Sequence, residues 1–208
     1  MRVLVLNVGS SSLKGSIVDS VGLAATAKDE VSLGTDASRQ KGVERTVRSL
    51  LSKLGVMTPQ PNPPPQGGRG TAIAAVGHRV VHGGNKFRAA VRVNERVLKG
   101  IEALAEFAPL HNPVAAATIR AVQVALPTIP QVAAFDTAFH ATLSEEQYLY
   151  PVPWRWHREY GTRRFGFHGL SVEWSTGRAA QLLGRPAAVL ALVVAHLGSG
   201  CSVTAVLN

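Results

Sequence analysis

The chain opens with a run of apolar residues that stops at a turn rich in glycine and serine. Val3 to Val8 is almost continuously apolar, Gly9-Ser10-Ser11-Ser12 follows, and extended character resumes at Ser16–Val18. A short apolar run bounded by turn residues is typical of a buried strand. We therefore predict a strand, a tight turn and a second strand at the N-terminus.

Four later segments have the apolar spacing or the end signals of helices. Val43 to Leu54 is apolar at helical intervals and stops at Gly55. Asn94 is a candidate N-cap for a helix that Pro109 closes, and Asn112-Pro113 opens the next one. That second helix is apolar almost all round, which predicts burial on every side. A further helix is predicted to begin at Ser171 and run to Gly184.

Two more strands are predicted, and one long loop. Thr71–Val81 is strand-like, and Gln131–Phe135 is a predicted buried strand that ends at Asp136. Residues 56–70 hold five prolines and three glycines, which is typical of a surface loop.

One internal repeat relates the two ends of the chain. Val5–Ser10 aligns with Val194–Ser199, and in both an apolar strand brings a polar residue two places before a glycine-serine turn. Two strand–turn–strand units indicate a duplicated domain. The second copy has barely begun at Asn208, so we expect it to be incomplete.

Both turns could bind phosphate. Neither is a P-loop, because Lys14 stands where that pattern needs glycine, and Val203 replaces the third glycine of a dinucleotide motif after Gly198. Glycine allows close approach, and successive backbone N–H groups with serine hydroxyls form an anion nest. The alternative is a plain hairpin turn, and the recurrence of the turn in a repeat favours phosphate.

The composition and charge of the chain argue against several classes of protein. With 22 basic and 13 acidic residues the net charge is +9, which suits anionic ligands. We find no helical basic stripe and no known nucleic-acid motif. Cys201 is the single cysteine, which excludes an internal disulfide and a cysteine metal cluster. The apolar run 187–195 is too short to cross a bilayer and Asn7 interrupts the N-terminal run, so we predict a cytoplasmic protein that binds neither membrane nor nucleic acid.

Seven segments together resemble the acetate kinase family. They are Asn7–Lys14, Gly77–Gly84, Pro109–Pro113, Phe135–His140, Tyr150–Pro153, Phe165–Gly169 and His196–Gly200, in the family's order. Propionate kinases share most of these motifs and butyrate kinases fewer. The resemblance implies an α/β fold of two ribonuclease-H-like domains, the actin and sugar-kinase type. We predict one such domain over 1–148 and the truncated start of a second, ATP-binding domain over 149–208.

The resemblance also implies an activity and roles for particular residues. The expected reaction is reversible transfer of the ATP γ-phosphoryl group to acetate, with Mg²⁺, in a homodimer. Asn7 would help hold the metal, Arg79 would bind the carboxylate, and Asp136 and His168 would be catalytic. The residues implied for ATP binding are Ser10, Ser12, Lys14, His196, Leu197, Gly198, Ser199 and Gly200.

The chain departs from the family pattern at several points. Ser199 stands where asparagine is usual, and Val172 where histidine is usual after Ser171. The family's later motifs are absent: a second arginine, the adenosine-binding segment and a late acidic metal ligand. We therefore expect residues 1–208 alone to show no measurable turnover.

The residues can also be assessed without the resemblance. The planar guanidinium of Arg79 can bind both oxygens of a carboxylate. An arginine without a partner would cost free energy in an otherwise apolar strand. Asp136 follows a buried strand, where ligands gather in open α/β sheets, although a turn aspartate is the alternative. His168 and His111 each precede a predicted helix, and only His168 is assigned a role. His78 and His82 would lie about 13 Å apart on a strand at ~3.3 Å per residue, so shared metal binding is not expected.

A short carboxylic acid has a pKa near ~4.3, so the nucleophile is already ionised at neutral pH. A general base then has no proton to remove. We expect Asp136 to orient Arg79 or a Mg²⁺-bound water instead. Three other functions stay open: propionate kinase, a folded fragment without catalysis, and, least favoured, a basic nucleic-acid-binding domain.

Overall fold

The computed structural model describes residues 1–9, 11–34, 40–56, 72–198 and 200–207. Ser10, Ser199 and, apart from Val56, the predicted 56–70 loop lie outside these residues. The chain divides into two compact units: unit 1 comprises Met1–Val80 and Ala90–Ala134, and unit 2 comprises Val81–Ala89 and Phe135–Asn208. The domain boundary at 148/149 stays a prediction.

Unit 1 is built on a six-stranded sheet in the order β3-β2-β1-β4-β6-β5. Its strands are β1 (Arg2–Val8), β2 (Ser12–Asp19), β3 (Ala25–Ser32), β4 (Ile73–Val80), β5 (Val91–Arg92) and β6 (Gln131–Phe135). β1 pairs antiparallel with β2 and parallel with β4, which confirms the predicted N-terminal hairpin and both later strands. β3 and β5 were not expected from the sequence.

Three helices of unit 1 begin near the predicted signals. They are α1 (Gln40–Lys53), α2 (Glu95–Ala103) and α3 (Asn112–Ala125). The prediction that Pro109 closes α2 is wrong, because that helix ends at Ala103 and a 3-10 turn follows at Leu104–Glu106. The Asn94 side chain caps α2 by accepting from the Val97 N–H at 2.9 Å, as predicted. α1 lies against β2, because a Cβ at Gly15 would come within 2.9 Å of Leu50 and Leu54. α3 packs beside α1 and contacts β1 and β4.

The expectation that α3 is buried on every side is wrong. Ile119 and Val122 are fully buried, but Val124 is largely exposed and Arg120 forms ion pairs with Glu95 and Glu102. α3 is covered on the sides that meet α1, α2 and the sheet, and its remaining surface is open. Single apolar residues are common on protein surfaces, so an apolar helix does not have to be enclosed.

Among its described residues, unit 2 has three α-helices and a separate small sheet. They are α4 (Glu145–Tyr148), α5 (Trp154–Tyr160), α6 (Gly169–Leu183), and a two-stranded antiparallel sheet of β7 (Leu192–Leu197) and β8 (Cys201–Val206). The β7–β8 hairpin confirms the second copy of the predicted strand–turn–strand unit. Within the described ranges, no helix combines the length and apolar character needed to cross a membrane.

The prediction that Ser171 begins α6 is wrong by two residues. The helix starts at Gly169, and His168 occupies the N-cap position with φ 57°, in the left-handed region. The Ser171 N–H donates to the His168 carbonyl at 2.9 Å, so Ser171 lies inside the first turn. The predicted end is confirmed, since Gly184 terminates the helix with φ 60°.

Candidate functional site

Four polar residues form one row across the sheet of unit 1. The strand register pairs Glu30 on β3 with Lys14 on β2, Lys14 with Asn7 on β1, and Asn7 with Arg79 on β4. Residues paired in register point to the same face of a sheet. Three predicted site residues from two separate motifs are thus brought side by side.

Arg79 is fixed by Asn7 within this row. Its Nη1 donates to Asn7 Oδ1 at 3.0 Å, and both side chains are half-buried. The neighbours that alternate with them, Leu6 and His78, are buried on the other face. That other face also carries Gly15, beside α1, so the Asn7–Arg79 pair lies on the face that α1 does not cover.

Lys14 is engaged in a weaker contact. Its Nζ lies 3.7 Å from Glu30 Oε2, and both side chains are more than half exposed. The turn beside it is closed internally, because the Gly9 N–H donates to the Ser12 carbonyl at 2.9 Å. This N–H is therefore not one of the donors expected for an anion nest, while Ser10 lies outside the described residues.

The residues present do not form a metal site by themselves. In the part of the chain that the structure describes, no three His, Cys, Asp or Glu side chains are grouped to hold an ion. Asn7 offers a single amide oxygen, which already accepts from a guanidinium. Mg²⁺ prefers carboxylates, water and substrate phosphates, so this donor set does not fit a Mg²⁺ site made by the protein alone.

Asp136 belongs to unit 2, where its backbone meets the start of α6. The residue is buried directly after β6, and its carbonyl accepts from the Gly169 N–H at 2.9 Å. A Cβ at Gly169 would overlap the Asp136 carbonyl, so glycine is required there. Next to Asp136, Thr137 Oγ1 accepts from the Gly83 N–H at 2.9 Å. These contacts hold the strand end firmly.

Two predicted histidines are stacked in unit 2. The rings of His168 and His196 lie 4.2 Å apart between centroids, with planes inclined by 12°. His168 Nδ1 lies 2.8 Å from Ser202 Oγ, and His196 Nδ1 lies 2.9 Å from Ser171 Oγ. The sequence indicated Ser171 only as a helix start and gave Ser202 no role, because the spacing of these serines to the rings, 25 and 34 residues, follows no local period.

The β7–β8 turn lies beside this pair. Leu197 pairs with Cys201, whereas Val8 pairs with Leu13 in the first hairpin, so the second turn is one residue shorter. A Cβ at Gly200 would stand 3.6 Å from His168 Cε1 and 3.7 Å from Nε2. The Cε1–Nε2 edge of His168 therefore faces the turn, which brings His168, His196, Gly198 and Gly200 together.

The prediction that His78 and His82 share one strand is wrong. β4 ends at Val80, and His82 lies in the following turn, where its Nδ1 accepts from the Gly84 N–H at 3.0 Å. Gly84 has φ 58°, in the left-handed region, so the backbone turns just after His82. Burial lowers the pKa of His82, whose ring packs edge-on against Phe165 and Phe167.

His78 has a structural role in the core of unit 1. Its Nε2 donates to Gln131 Oε1 at 2.7 Å. Burial lowers its pKa to about 4, although the hydrogen bond to Gln131 opposes the shift. His140 and His157, left unassigned from the sequence, bond to the carbonyls of Phe167 and Thr162. All three histidines hold structure together.

The architecture is that of a two-unit α/β protein whose two hairpins carry polar or basic side chains on the strands beside their turns. The model of the acetokinase family matches residues 2–208. The acetate kinase of Shewanella oneidensis is 41% identical over 98% of this chain and 53% of its own length. The acetate kinase of Carboxydothermus hydrogenoformans is 40% identical over 99% of this chain and 55% of its own.

Solved structures agree. The crystal structure of Porphyromonas gingivalis acetate kinase has a TM-score of 0.80 at 31% identity, covering 100% of this chain and 55% of that one. A propionate kinase from Francisella tularensis has a TM-score of 0.79 at 31% identity, covering 99% and 54%. The chain belongs to the acetokinase family, and its fold is the α/β actin and sugar-kinase type. It spans about half the length of the curated relatives it matches.

Proposed function

We propose that this chain supplies the carboxylate-binding residue and part of the phosphate-binding residues of an acetate kinase, which transfers the ATP γ-phosphoryl group to acetate and forms acetyl phosphate and ADP. The match of the acetokinase model along residues 2–208 carries the proposal. The row of Lys14, Asn7 and Arg79 supports it, because a fixed guanidinium is what a small carboxylate needs.

Arg79 binds the carboxylate of acetate. The hydrogen bond to Asn7 uses Nη1 and orients the plane of the guanidinium, whose planar fork geometry suits a carboxylate. A preoriented arginine loses little side-chain freedom on binding. Asn7 therefore acts as the residue that positions Arg79.

Asp136 acts electrostatically and not as a base. Acetate is ionised at neutral pH, so it attacks the γ-phosphorus without losing a proton. Phosphoryl transfer needs mainly positioning and neutralisation of charge. A buried carboxylate at a strand end, held through its backbone by Gly169, suits a positioning role.

The phosphates of ATP are bound by the second hairpin and its neighbours. His196 and the turn around Gly198 and Gly200 approach the β- and γ-phosphates, and His168 donates to the transferring group. The left-handed backbone of His168 is a strained conformation of the kind found at functional sites. Lys14 and Ser12 contribute from the first hairpin.

Mg²⁺ would be held mainly by the phosphates of ATP, since the described residues contain no group of three His, Cys, Asp or Glu side chains that could hold the ion. When bound, Mg²⁺ neutralises charge on the phosphate oxygens. The proposal further includes homodimerisation and a cytoplasmic location, which the resemblance and the composition support.

Propionate is the alternative substrate. The propionate kinase of Francisella tularensis and the acetate kinase of Porphyromonas gingivalis are equally similar to this chain, at 31% identity. The two acids differ by one methylene, worth roughly 10- to 200-fold in specificity. Comparing kcat/KM for acetate and propionate in the assay below separates the two functions.

The test uses residues 1–208 alone and fused to the remaining C-terminal part of the Shewanella oneidensis enzyme. ADP release and acetyl phosphate, trapped with hydroxylamine, are measured with Mg·ATP and acetate. We expect no turnover from residues 1–208 alone and clear turnover from the fusion. Arg79→Ala should lower kcat/KM of the fusion by roughly 10³–10⁵, while Arg92→Ala, an exposed arginine on β5, should have little effect.

An inactive fusion, under conditions where the intact Shewanella enzyme is active, would contradict the proposed function. A loss of less than about tenfold in Arg79→Ala would remove only Arg79 from the site.

A further inference from the structure

Four residues of unit 2 form a closed arrangement that the proposed function does not explain. His168 and Ser171 belong to the start of α6, where the Ser171 N–H donates to the His168 carbonyl. His196 and Ser202 face each other in the register of β7 and β8. Each element thus contributes one histidine and one serine.

The side chains connect these elements crosswise. The serine of the helix contacts the histidine of the hairpin, with 2.9 Å between Ser171 Oγ and His196 Nδ1. The serine of the hairpin contacts the histidine of the helix, with 2.8 Å between Ser202 Oγ and His168 Nδ1. The stacked rings, 4.2 Å apart, lie between the two contacts. Both Nδ1 atoms are fixed in the same way.

We propose that Ser171 and Ser202 are positioning residues that set the tautomer of the two histidines. Each hydroxyl donates its proton to Nδ1 of the ring on the other element, which leaves the ring proton of both histidines on Nε2. Both rings then offer an Nε2–H donor to the anionic oxygens of the bound nucleotide. The identity of the ligand in this inference rests on the proposed function, whereas the geometry of the serine–histidine contacts does not.

The opposite tautomer would work against an anion. If Nδ1–H donated to the serine oxygen, Nε2 would present a lone pair, which a phosphate oxygen repels. The Cε1–Nε2 edge of His168 faces Gly200, in the turn proposed to bind phosphate. The direction of the serine hydrogen bonds therefore decides whether this edge attracts or repels the ligand.

Serine is suited to this role in a way that a carboxylate is not. A carboxylate on Nδ1 only accepts, so it would hold the proton on Nδ1 and favour the charged ring. Two imidazolium rings stacked at 4.2 Å would repel each other. A hydroxyl can donate, so it allows both rings to stay neutral while each keeps a donor on Nε2.

The experiment reads the tautomers directly in residues 1–208 labelled with ¹⁵N-histidine, without nucleotide. Long-range ¹H–¹⁵N correlation spectra near pH ~8, where histidine is mostly neutral, distinguish Nδ1–H from Nε2–H. Signals are assigned with His168→Gln and His196→Gln. We expect the Nε2–H tautomer to predominate for both residues in the unmodified chain.

The serine variants should act crosswise. Ser202→Ala should lower the Nε2–H fraction of His168 several-fold more than that of His196, and Ser171→Ala should do the reverse. Ser202→Thr and Ser171→Thr keep a hydroxyl and should restore the tautomers. Thr204→Ala removes a hydroxyl two residues along β8 and should change neither ring.

Predominance of Nδ1–H in the unmodified chain would overturn the proposal, and so would alanine variants that affect both rings equally without rescue by threonine. Circular dichroism identifies a variant that fails to fold, and the spectra of the unmodified chain and the threonine variants then still decide the question. If the tautomers are as expected but Mg·ATP leaves both Nε2 signals unchanged in an active fusion protein, the anion-binding part fails, while the serine–histidine pairing and the proposed function stand.

Discussion

The two hairpins of this protein share a sequence pattern but not a structural setting. Both β1–β2 and β7–β8 are antiparallel and bring a polar residue, Asn7 or His196, to the same place before the turn. β1 is central in a six-stranded sheet, with Leu4, Leu6 and Val8 buried. In the described residues of β7 and β8 no side chain is buried, and Val193, Leu197 and Val203 are at least 70% exposed.

The difference shows that a repeated motif specifies local geometry and not stability. An isolated two-stranded hairpin is marginal in water, and needs more strands or a helix to cover it. The first hairpin obtains this cover from β3, β4 and α1. The second is connected to α6 through His168, His196 and their serines. In the second hairpin, polar contacts provide part of the stabilisation that apolar burial provides in the first.

The prediction with the largest expected effect compares the truncation of one leucine in each hairpin. Leu6→Ala removes a fully buried side chain and should lower the free energy of unfolding by about 2–5 kcal/mol. Leu197→Ala removes a largely exposed one and should change it by less than about 0.5 kcal/mol. Urea unfolding followed by circular dichroism measures both.

Equal losses in Leu6→Ala and Leu197→Ala would mean that the second hairpin is as well covered as the first. Polar contacts would then not be what distinguishes the second hairpin from the first.

The free energy of unfolding should depend on pH by about 3 kcal/mol through His78, which lies beside the first hairpin. His78 pairs with Leu6 in the β1–β4 register, and burial lowers its pKa from 6.5 to about 4. The unfolded chain therefore binds a proton that the folded chain excludes. The stabilisation that the fold gains from keeping His78 neutral is complete above pH ~6.5 and is lost progressively as the pH falls to about 4.

His78→Gln keeps a polar group near Gln131 but cannot titrate. Its unfolding free energy should fall less than that of the unmodified chain between pH 7 and pH 4, by up to about 3 kcal/mol. His82, whose pKa is also lowered by burial, is present in both proteins and cancels in the comparison. Parallel pH profiles for the two proteins would show that His78 is not excluded from protonation in the fold.

Two glycines of α6 provide the next test, because this helix holds the second hairpin. Gly169→Ala would place a methyl group on the Asp136 carbonyl and should destabilise the protein by about 1–3 kcal/mol. Gly177→Ala, in the same helix with open space around it, should instead stabilise it by roughly 0.5–1 kcal/mol. Thermal unfolding measures both.

The His168 and His196 proton signals should change in Gly169→Ala and not in Gly177→Ala, because displacement of the helix start would break the stacking. Unchanged signals in a folded Gly169→Ala variant would separate the helix start from the histidine pair.

The elements with strong local signals could be predicted from the sequence. The N-terminal hairpin, β6, and the cap of α2 at Asn94 depend on apolar runs and one capping residue. β3 was missed because it is an edge strand of alternating exposed residues, such as Lys28 and Glu30, with little apolar pattern. The start of α6 was misplaced because serine is a common cap, whereas a left-handed histidine is not.

The candidate site could be predicted only in part. Separate motifs indicated Asn7 and Arg79, but the hydrogen bond between them depends on the parallel pairing of β1 with β4, across 72 residues. In the sequence, Gly169 is only the end of the Phe165–Gly169 motif, whereas the structural reason for glycine there is the carbonyl of Asp136. Contacts between distant segments decide these features, and no local period reports them.

The smallest expected effect concerns Lys14, and it tests whether the first hairpin binds nucleotide. Its ion pair with Glu30, 3.7 Å long between exposed side chains, should contribute less than about 0.5 kcal/mol to folding. Glu30→Gln and Lys14→Met should therefore unfold within about that margin of the unmodified chain. Because the pair is weak, Lys14 can exchange Glu30 for a phosphate at small cost. Lys14→Met should weaken Mg·ATP binding by the fusion protein, whereas Glu30→Gln should leave it equal or tighter, as measured by calorimetry. If both substitutions weakened binding equally, the pair would act as a structural unit of the sheet, and Lys14 would not be a nucleotide ligand.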